Sequence, residues 1–226
     1  MAKITALEPQ ERRPGRYNLY LDGRFAFALD GALLVAEGIA VGDEVDEAAV
    51  ERLQANEDER KLFDAALRFL APRPRSRAEV RRRLLAPRRN TPPPDADAVE
   101  RVLTRLADLN MLNDQDFAAF WVENRERFSP RSARALGQEL RQRGVDRETV
   151  AAATDPDQDE ELALAAGRQR LRALANLDYE AFRTKLGQFL LRRGFSYTVA
   201  RTVTRQLWEE THGADGTDRD EDAPDE

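Results

Sequence analysis

The chain has 226 residues, a net charge of −6 and no cysteine. That length holds one large domain or two small ones with ample core, and the lack of cysteine excludes disulfides, thiolate metal sites and thiol catalysis. The opening MAKITALEPQ carries no apolar signal core, and no run of 18 apolar residues occurs, so a soluble cytoplasmic protein is expected.

The net charge conceals three regions. Residues 1–60 hold 7 basic and 13 acidic side chains, residues 61–208 hold 28 and 20, and residues 209–226 hold 1 and 9. The middle region is therefore locally basic although the whole is acidic. Its cations are almost all arginine (33 Arg against 3 Lys in the chain), a ratio that a GC-rich genome explains by itself and that also suits bidentate contact with phosphate or carboxylate.

The first forty-odd residues read as β. A strand around Lys3–Leu7 precedes two alternating runs, Tyr17–Leu21 and Phe25–Leu29, joined by Asp22-Gly23 where a tight hairpin wants positive φ. Alternation puts Tyr17 and Tyr20 on opposite faces. A short helix over 32–37 and a strand near Glu44–Val45 close this small module.

After Asp46 the chain reads as helical. Residues 47–70 carry two apolar patches and end at Pro72 and Pro74. Ser76-Arg77-Ala78-Glu79 fits a capping box. A proline-rich loop covers 86–94, and Val99, Val102, Leu103, Leu106 and Leu109 form the stripe of the next helix. Asp114 opens another, with Phe117, Trp121 and Phe128 on its apolar side. Ser129-Pro130 is read as an N-cap and first turn, and Gly144 as the stop of that helix. Asp146 starts a short helix, 157–176 a long one, Asp178–Arg193 is stopped by Gly194, and Ser196 opens the last, to about Glu210. The remainder reads as a disordered acidic tail.

Two segments repeat. LGQELRQRGV (136–145) and LGQFLLRRGF (186–195) share six of ten residues, each following a helix start and preceding another helix. Aligning Leu84 with Leu140 extends the pattern weakly to a first copy. The expected architecture is mainly α: three tandem three-helix units, elongated and curved, behind a small β-rich N-terminal module. The expected segments are a module over 1–46, a helical linker over 47–60, units over 61–110, 111–156 and 157–210, and the tail over 211–226.

The middle helix of each unit offers a basic edge behind an apolar face. On the second, Ala133, Leu136 and Leu140 oppose Arg131, Arg134 and Arg141. On the third, Phe182, Leu186 and Phe189 face inward while Lys185 and Arg192 share an exposed edge. On the first, Arg77 and Arg81 stand one turn apart. Such ridges neutralise DNA phosphates or meet an acidic groove on a protein, and the residues do not separate the two. Catalytic constellations are weak: the single histidine, His212, falls in the expected tail, Asp114 and Asp116 are read as helix-capping acids rather than metal ligands, and no Walker or GxGxxG motif occurs. No cofactor or metal is expected. Phe117, Trp121 and Trp208 read as core.

Residues 73–79, Leu112-Asn113-Asp114 through Ala118, Ser129-Pro130 through Val145, and FLLRRGFS (189–196) together resemble the RecX family, bacterial regulators of the RecA recombinase. The resemblance covers about residues 58–208, and the N-terminal module resembles the extra domain of longer members. It implies tandem three-helix units lying in the groove of the RecA–single-stranded DNA filament and limiting filament growth, ATP hydrolysis and strand exchange, without enzymatic activity of their own. Departures are Ser129 where glycine is frequent, and the proline-rich loop in place of a glycine stop in the first unit.

The expected function is thus a mainly negative regulator of RecA, a monomer that contacts the RecA filament and single-stranded DNA, with double-stranded DNA a further candidate, without strong sequence preference and without membrane association. The contact residues expected are Arg75, Arg77, Arg81, Arg131, Arg134, Arg141, Arg143, Lys185, Arg192 and Arg193. The alternative is a protein that reads duplex sequence through one helix-turn-helix-like unit.

Overall fold

The computed structural model describes residues 1–87 and 92–213. The chain divides into two compact units: Met1–Arg73 with Val80–Met111, and Pro74–Glu79 with the chain from Leu112 onward.

In the first unit, strands β1 (Ala2–Pro9), β2 (Arg16–Leu21), β3 (Arg24–Asp30) and β4 (Glu44–Val45) form an antiparallel sheet in the order β3-β2-β1-β4. The β2–β3 hairpin turns where expected. Asp22 and Gly23 both have positive φ, 48° and 77°, which matches the twist of the flanking strands. Tyr20 and Phe25, paired across the hairpin, meet edge to face at 6.0 Å. Ile4, Leu19 and Leu29 from the sheet and Leu34 from helix α1 (Gly31–Ala36) make the module's own core.

Helix α2 (Glu47–Leu70) is the one helix expected over 47–70, and it runs without a break across position 60. Its buried Glu57, 1% exposed, ties it to the sheet. The carboxylate accepts from the Asp30 backbone N–H at 3.2 Å, pairs with Arg16 at 2.7 Å and with Arg60 at 3.1 Å. A buried carboxylate is tolerated when cations and amide donors both answer it. Helices α3 (Arg77–Leu85) and α4 (Ala96–Asp108) follow. Leu62, Ala66, Val80, Leu84, Val99, Val102, Leu103 and Leu106 are all buried, so the expected stripe of α4 is core apart from its last member, Leu109, which is exposed. Part of the proline-rich loop lies outside the described residues.

The second unit holds two three-helix repeats. Helices α5 (Asp114–Phe128), α6 (Ala133–Gln142) and α7 (Arg147–Ala153) enclose Phe117, Val122, Leu136, Leu140, Val145 and Val150. A 3-10 turn (Pro156–Gln158) leads to α8 (Asp159–Leu174), α9 (Tyr179–Arg192) and α10 (Tyr197–His212), which enclose Phe182, Leu186, Leu190, Phe195, Val203, Leu207 and Trp208. The residues shared by the two ten-residue segments thus include equivalent buried pairs, Leu136 with Leu186 and Leu140 with Leu190. Asp146, Asp178 and Ser196 cap their helices as expected.

Several expectations are corrected. Helix α6 starts at Ser132, not Ser129: Ser132 is extended and its side chain accepts from Ala135 N–H, whereas Ser129 closes α5. Phe128 is 64% exposed, beneath the guanidinium of Arg127. His212 belongs to α10, its ring stacked 3.6 Å from that of Trp208. The tail from residue 214 lies outside the described residues.

Candidate partner interface

The ten-residue repeat marks a joint that recurs in the second unit. At the first copy, Ser76 at the start of α3 is fully buried and donates its hydroxyl to the Arg143 carbonyl at 2.6 Å. The same oxygen accepts from Glu79 N–H at 3.1 Å, and Ser76 N–H donates back to the Glu79 carboxylate at 3.3 Å, completing the capping box. The next amide, Arg77 N–H, donates 2.7 Å to Asp114 on α5. Beside them, Gly144 has φ +84°, and a Cβ there would collide with the Ala78 side chain.

At the second copy, Ser132 is also fully buried, its N–H donates to the Arg193 carbonyl at 3.2 Å, and its hydroxyl accepts from Ala135 N–H at 3.2 Å. Ala133 N–H donates 2.7 Å to Asp159 on α8. Gly194 has φ +94°, and a Cβ there would stand 2.6 Å from the Ser132 hydroxyl and 2.7 Å from Ala135 Cβ. In both copies, a buried serine and the following amide at the start of a middle helix dock onto an Arg-Gly elbow and an aspartate that come later in the chain.

The joint reassigns several residues. Asp114 was read as capping its own helix, but Asn113 does so by accepting from Gln115 N–H at 2.8 Å, and Asp114 serves α3. Burial raises the Asp114 carboxyl above the ordinary aspartate value, opposed by the Arg77 amide; burial likewise raises Asp159, opposed by the Ala133 amide.

The expected basic ridge is only partly outward. Arg134 and Arg141 on α6 and Lys185 and Arg192 on α9 are exposed. Arg81 is exposed but pairs with Glu100 at 2.6 Å. Arg131 precedes α6 rather than lying on it and pairs with Glu139 at 3.2 Å, because the helix begins two residues later than its ridge position requires. Arg143 donates to the Glu139 carbonyl at 2.7 Å and lies 3.6 Å from the Trp121 ring. Arg193 donates to the Ser129 hydroxyl at 2.7 Å and the Pro130 carbonyl at 3.1 Å. Arg75 and Arg77 are half-buried around the first joint. Under the 50-residue offset, Arg134 and Arg141 align with Thr184 and Leu191; only the inward Arg143 and Arg193 are matched arginines.

Sequence reasoning named Arg131, Arg143 and Arg193 but missed Arg125 and Arg170, which complete an arginine cluster beside the second joint. Trp121, read as core, is half-buried between the guanidinium groups of Arg125 (4.6 Å) and Arg143 (3.6 Å). Its indole N–H and Arg125 both donate to Glu139, at 2.8 and 2.9 Å. Arg170 and Arg193 each stand 4.8 Å from the Phe189 ring. Burial first, then the nearby charges of Arg131, Arg170 and Arg125, lower the Arg193 pKa, and the guanidinium remains charged at neutral pH. The cluster draws cations from four separate segments, so no single helix face reveals it. Among the described residues no group of three or more histidine, aspartate, glutamate or cysteine side chains could hold a metal ion, and no helix is long and apolar enough to cross a membrane.

Comparison with known proteins covers nearly all of this architecture. Residues 2–46 match the family model of the regulatory protein RecX N-terminal domain, and residues 63–86, 113–153 and 157–204 match the first, second and third three-helix domains of RecX. The Regulatory protein RecX of Bacillus subtilis (strain 168) is 31% identical over 211 residues, 92% of this chain and 78% of its own length. That of Listeria monocytogenes serotype 4a (strain HCC23) is 26% identical over 219 residues, 96% and 80%. A crystal structure of regulatory protein RecX superposes with a TM-score of 0.68 at 26% identity, covering 91% of this chain and all of that one. RecX from Lactobacillus salivarius, 24% identical with a TM-score of 0.54, covers 67% of this chain and 97% of that one and shares the fold. With its mainly helical repeats behind a small antiparallel sheet, this chain belongs to the RecX family of regulatory proteins.

Proposed function

We propose that this chain regulates RecA, mainly negatively, by binding along the RecA–single-stranded DNA filament and limiting its growth, ATP hydrolysis and strand exchange. Membership of the RecX family supports the choice of partner. The observation that carries the mode of binding is the placement of Arg134 and Arg141 on α6 and Lys185 and Arg192 on α9, all exposed, on two repeats held by the Ser132–Gly194 joint. A polymer that repeats its charge every few ångströms meets such a surface at several points, and each contact raises the effective concentration of the next.

The inward arginines have a structural task as well in this reading. Arg143 and Arg193 brace the joint, and Arg131 aligns Glu139, so their removal acts through folding as well as binding. The test is RecA ATPase on single-stranded DNA with and without the protein. Wild type is expected to suppress the rate, and a variant with Arg134, Arg141, Lys185 and Arg192 all changed to alanine is expected to suppress it much less at unchanged thermal stability. Full inhibition by that variant would remove the exposed cations from the mechanism.

A further inference from the structure

The arginine cluster brings four cations together around one paired carboxylate, Glu139. Arg125, Arg131, Arg170 and Arg193 lie close enough to act on one another, and Glu139 is the carboxylate paired with Arg125 and Arg131. Arg193 donates to two neutral oxygens, the Ser129 hydroxyl and the Pro130 carbonyl, and the buried Nε of Arg131 has no hydrogen-bond partner. Guanidinium groups held against aromatic faces keep their planes ready for a carboxylate or phosphate.

The same chain carries a matching polyanion. Residues 214–226 contain seven carboxylates (Asp215, Asp218, Asp220, Glu221, Asp222, Asp225 and Glu226) and one cation, Arg219. They lie beyond residue 204, where the match to the third three-helix domain ends. Their origin lies beside the opposite end of α9 from Arg193: α10 ends at His212, whose ring is 6.5 Å from that of Phe182 on α9. Arg193 lies eleven residues further along that helix, an axial distance of about 16 Å at 1.5 Å per residue. Thirteen residues span up to about 43 Å when extended, so the acids at 220–222 reach with slack.

We propose that residues 214–226 dock on the Arg125–Arg131–Arg170–Arg193 cluster as an intramolecular polyanion, competing there with the phosphodiester backbone of the nucleic acid. Tethering gives the segment a high effective concentration, so weak ion pairs suffice to occupy the site. The contacts are charge-charge and weaken as salt rises. Docking stands on charge and reach; competition also rests on the proposed function.

Because the chain has no cysteine, Ala223→Cys introduces a single thiol for a nitroxide label in the full-length protein. Amide signals of Arg125, Arg131, Arg170 and Arg193 should broaden at low salt and recover at high salt. Broadening confined to the neighbours of Gly213 overturns the docking. In a second arm, all seven tail acids are changed to their amides in the full-length chain, and binding of a fluorescent oligodeoxythymidine is titrated. The neutral-tail variant should bind severalfold more tightly at low salt, with the gap closing as salt rises; equal affinity at low salt overturns the competition. If neither chain binds the oligonucleotide while the broadening is present, docking holds and the nucleic-acid contact in the proposed function falls.

Discussion

At the scale of single residues, the aspartates of the two joints show a charge set against its own burial. Asp114 and Asp159 each accept an amide hydrogen bond at 2.7 Å, while burial raises both carboxyl pKa values. A carboxyl with a raised folded pKa binds its proton more tightly in the folded state. Stability therefore falls as pH rises from the ordinary aspartate value, about 3.9, through the raised one. Asp114→Asn keeps an acceptor for Arg77 N–H and removes the buried charge. It should be more stable than wild type at pH 7, and the advantage should shrink as pH falls towards 4. Asp114→Ala removes the acceptor and should cost about 0.5–2 kcal/mol, as for other lost helix caps. Denaturation midpoints at the two pH values check both, and an unchanged alanine variant would show that the inter-helix cap contributes nothing.

Secondary-structure elements are where the repeated glycine takes on its meaning. The sequence pattern identifies Gly144 and Gly194 as helix stops, and their positive φ agrees. The larger constraint is the neighbour: Ala78 at one elbow, and Ser132 with Ala135 at the other, occupy the space a Cβ would need. Gly187, inside α9, has nothing within 4 Å of a built Cβ. Gly144→Ala and Gly194→Ala should each destabilise the protein by about 1–3 kcal/mol, from backbone strain and displacement of the docked helix. Gly187→Ala should stabilise by about 0.5–1 kcal/mol, the ordinary preference of a helix interior. Urea denaturation of the three variants separates the cases; equal effects at all three positions would reduce the elbows to helix punctuation.

For the whole molecule the controlling quantity is charge distribution rather than net charge. The excess of cations between residues 61 and 208 sits between acidic ends, and only some of those cations face outward. Each phosphate contact to single-stranded DNA adds about 0.7 to the dependence of log affinity on log salt. The four-alanine variant at Arg134, Arg141, Lys185 and Arg192 should therefore flatten that dependence by up to about 3, measured by oligonucleotide titration across salt concentrations. An unchanged slope would place the nucleic-acid contacts on other residues.

Much of the helical framework was legible along the chain because its signals are local. Capping residues at Asp46, Ser76, Asp146, Asp178 and Ser196, the Asp22-Gly23 turn and the stripe of α4 each depend on residues a few positions apart. The start of α6 misled because Ser129-Pro130 and Ser132 offer competing starts three residues apart, and the contacts of Ser132 with Arg193 and Ala135 mark the start that folding uses. Local signals along the chain were enough for the Asp22-Gly23 turn, the repeated segment and most helix starts. Only folding brings Asp114 to another helix, makes Gly144 and Gly194 docking points and turns Arg193 inward, because partners 37 to 66 positions away complete these contacts or crowd them.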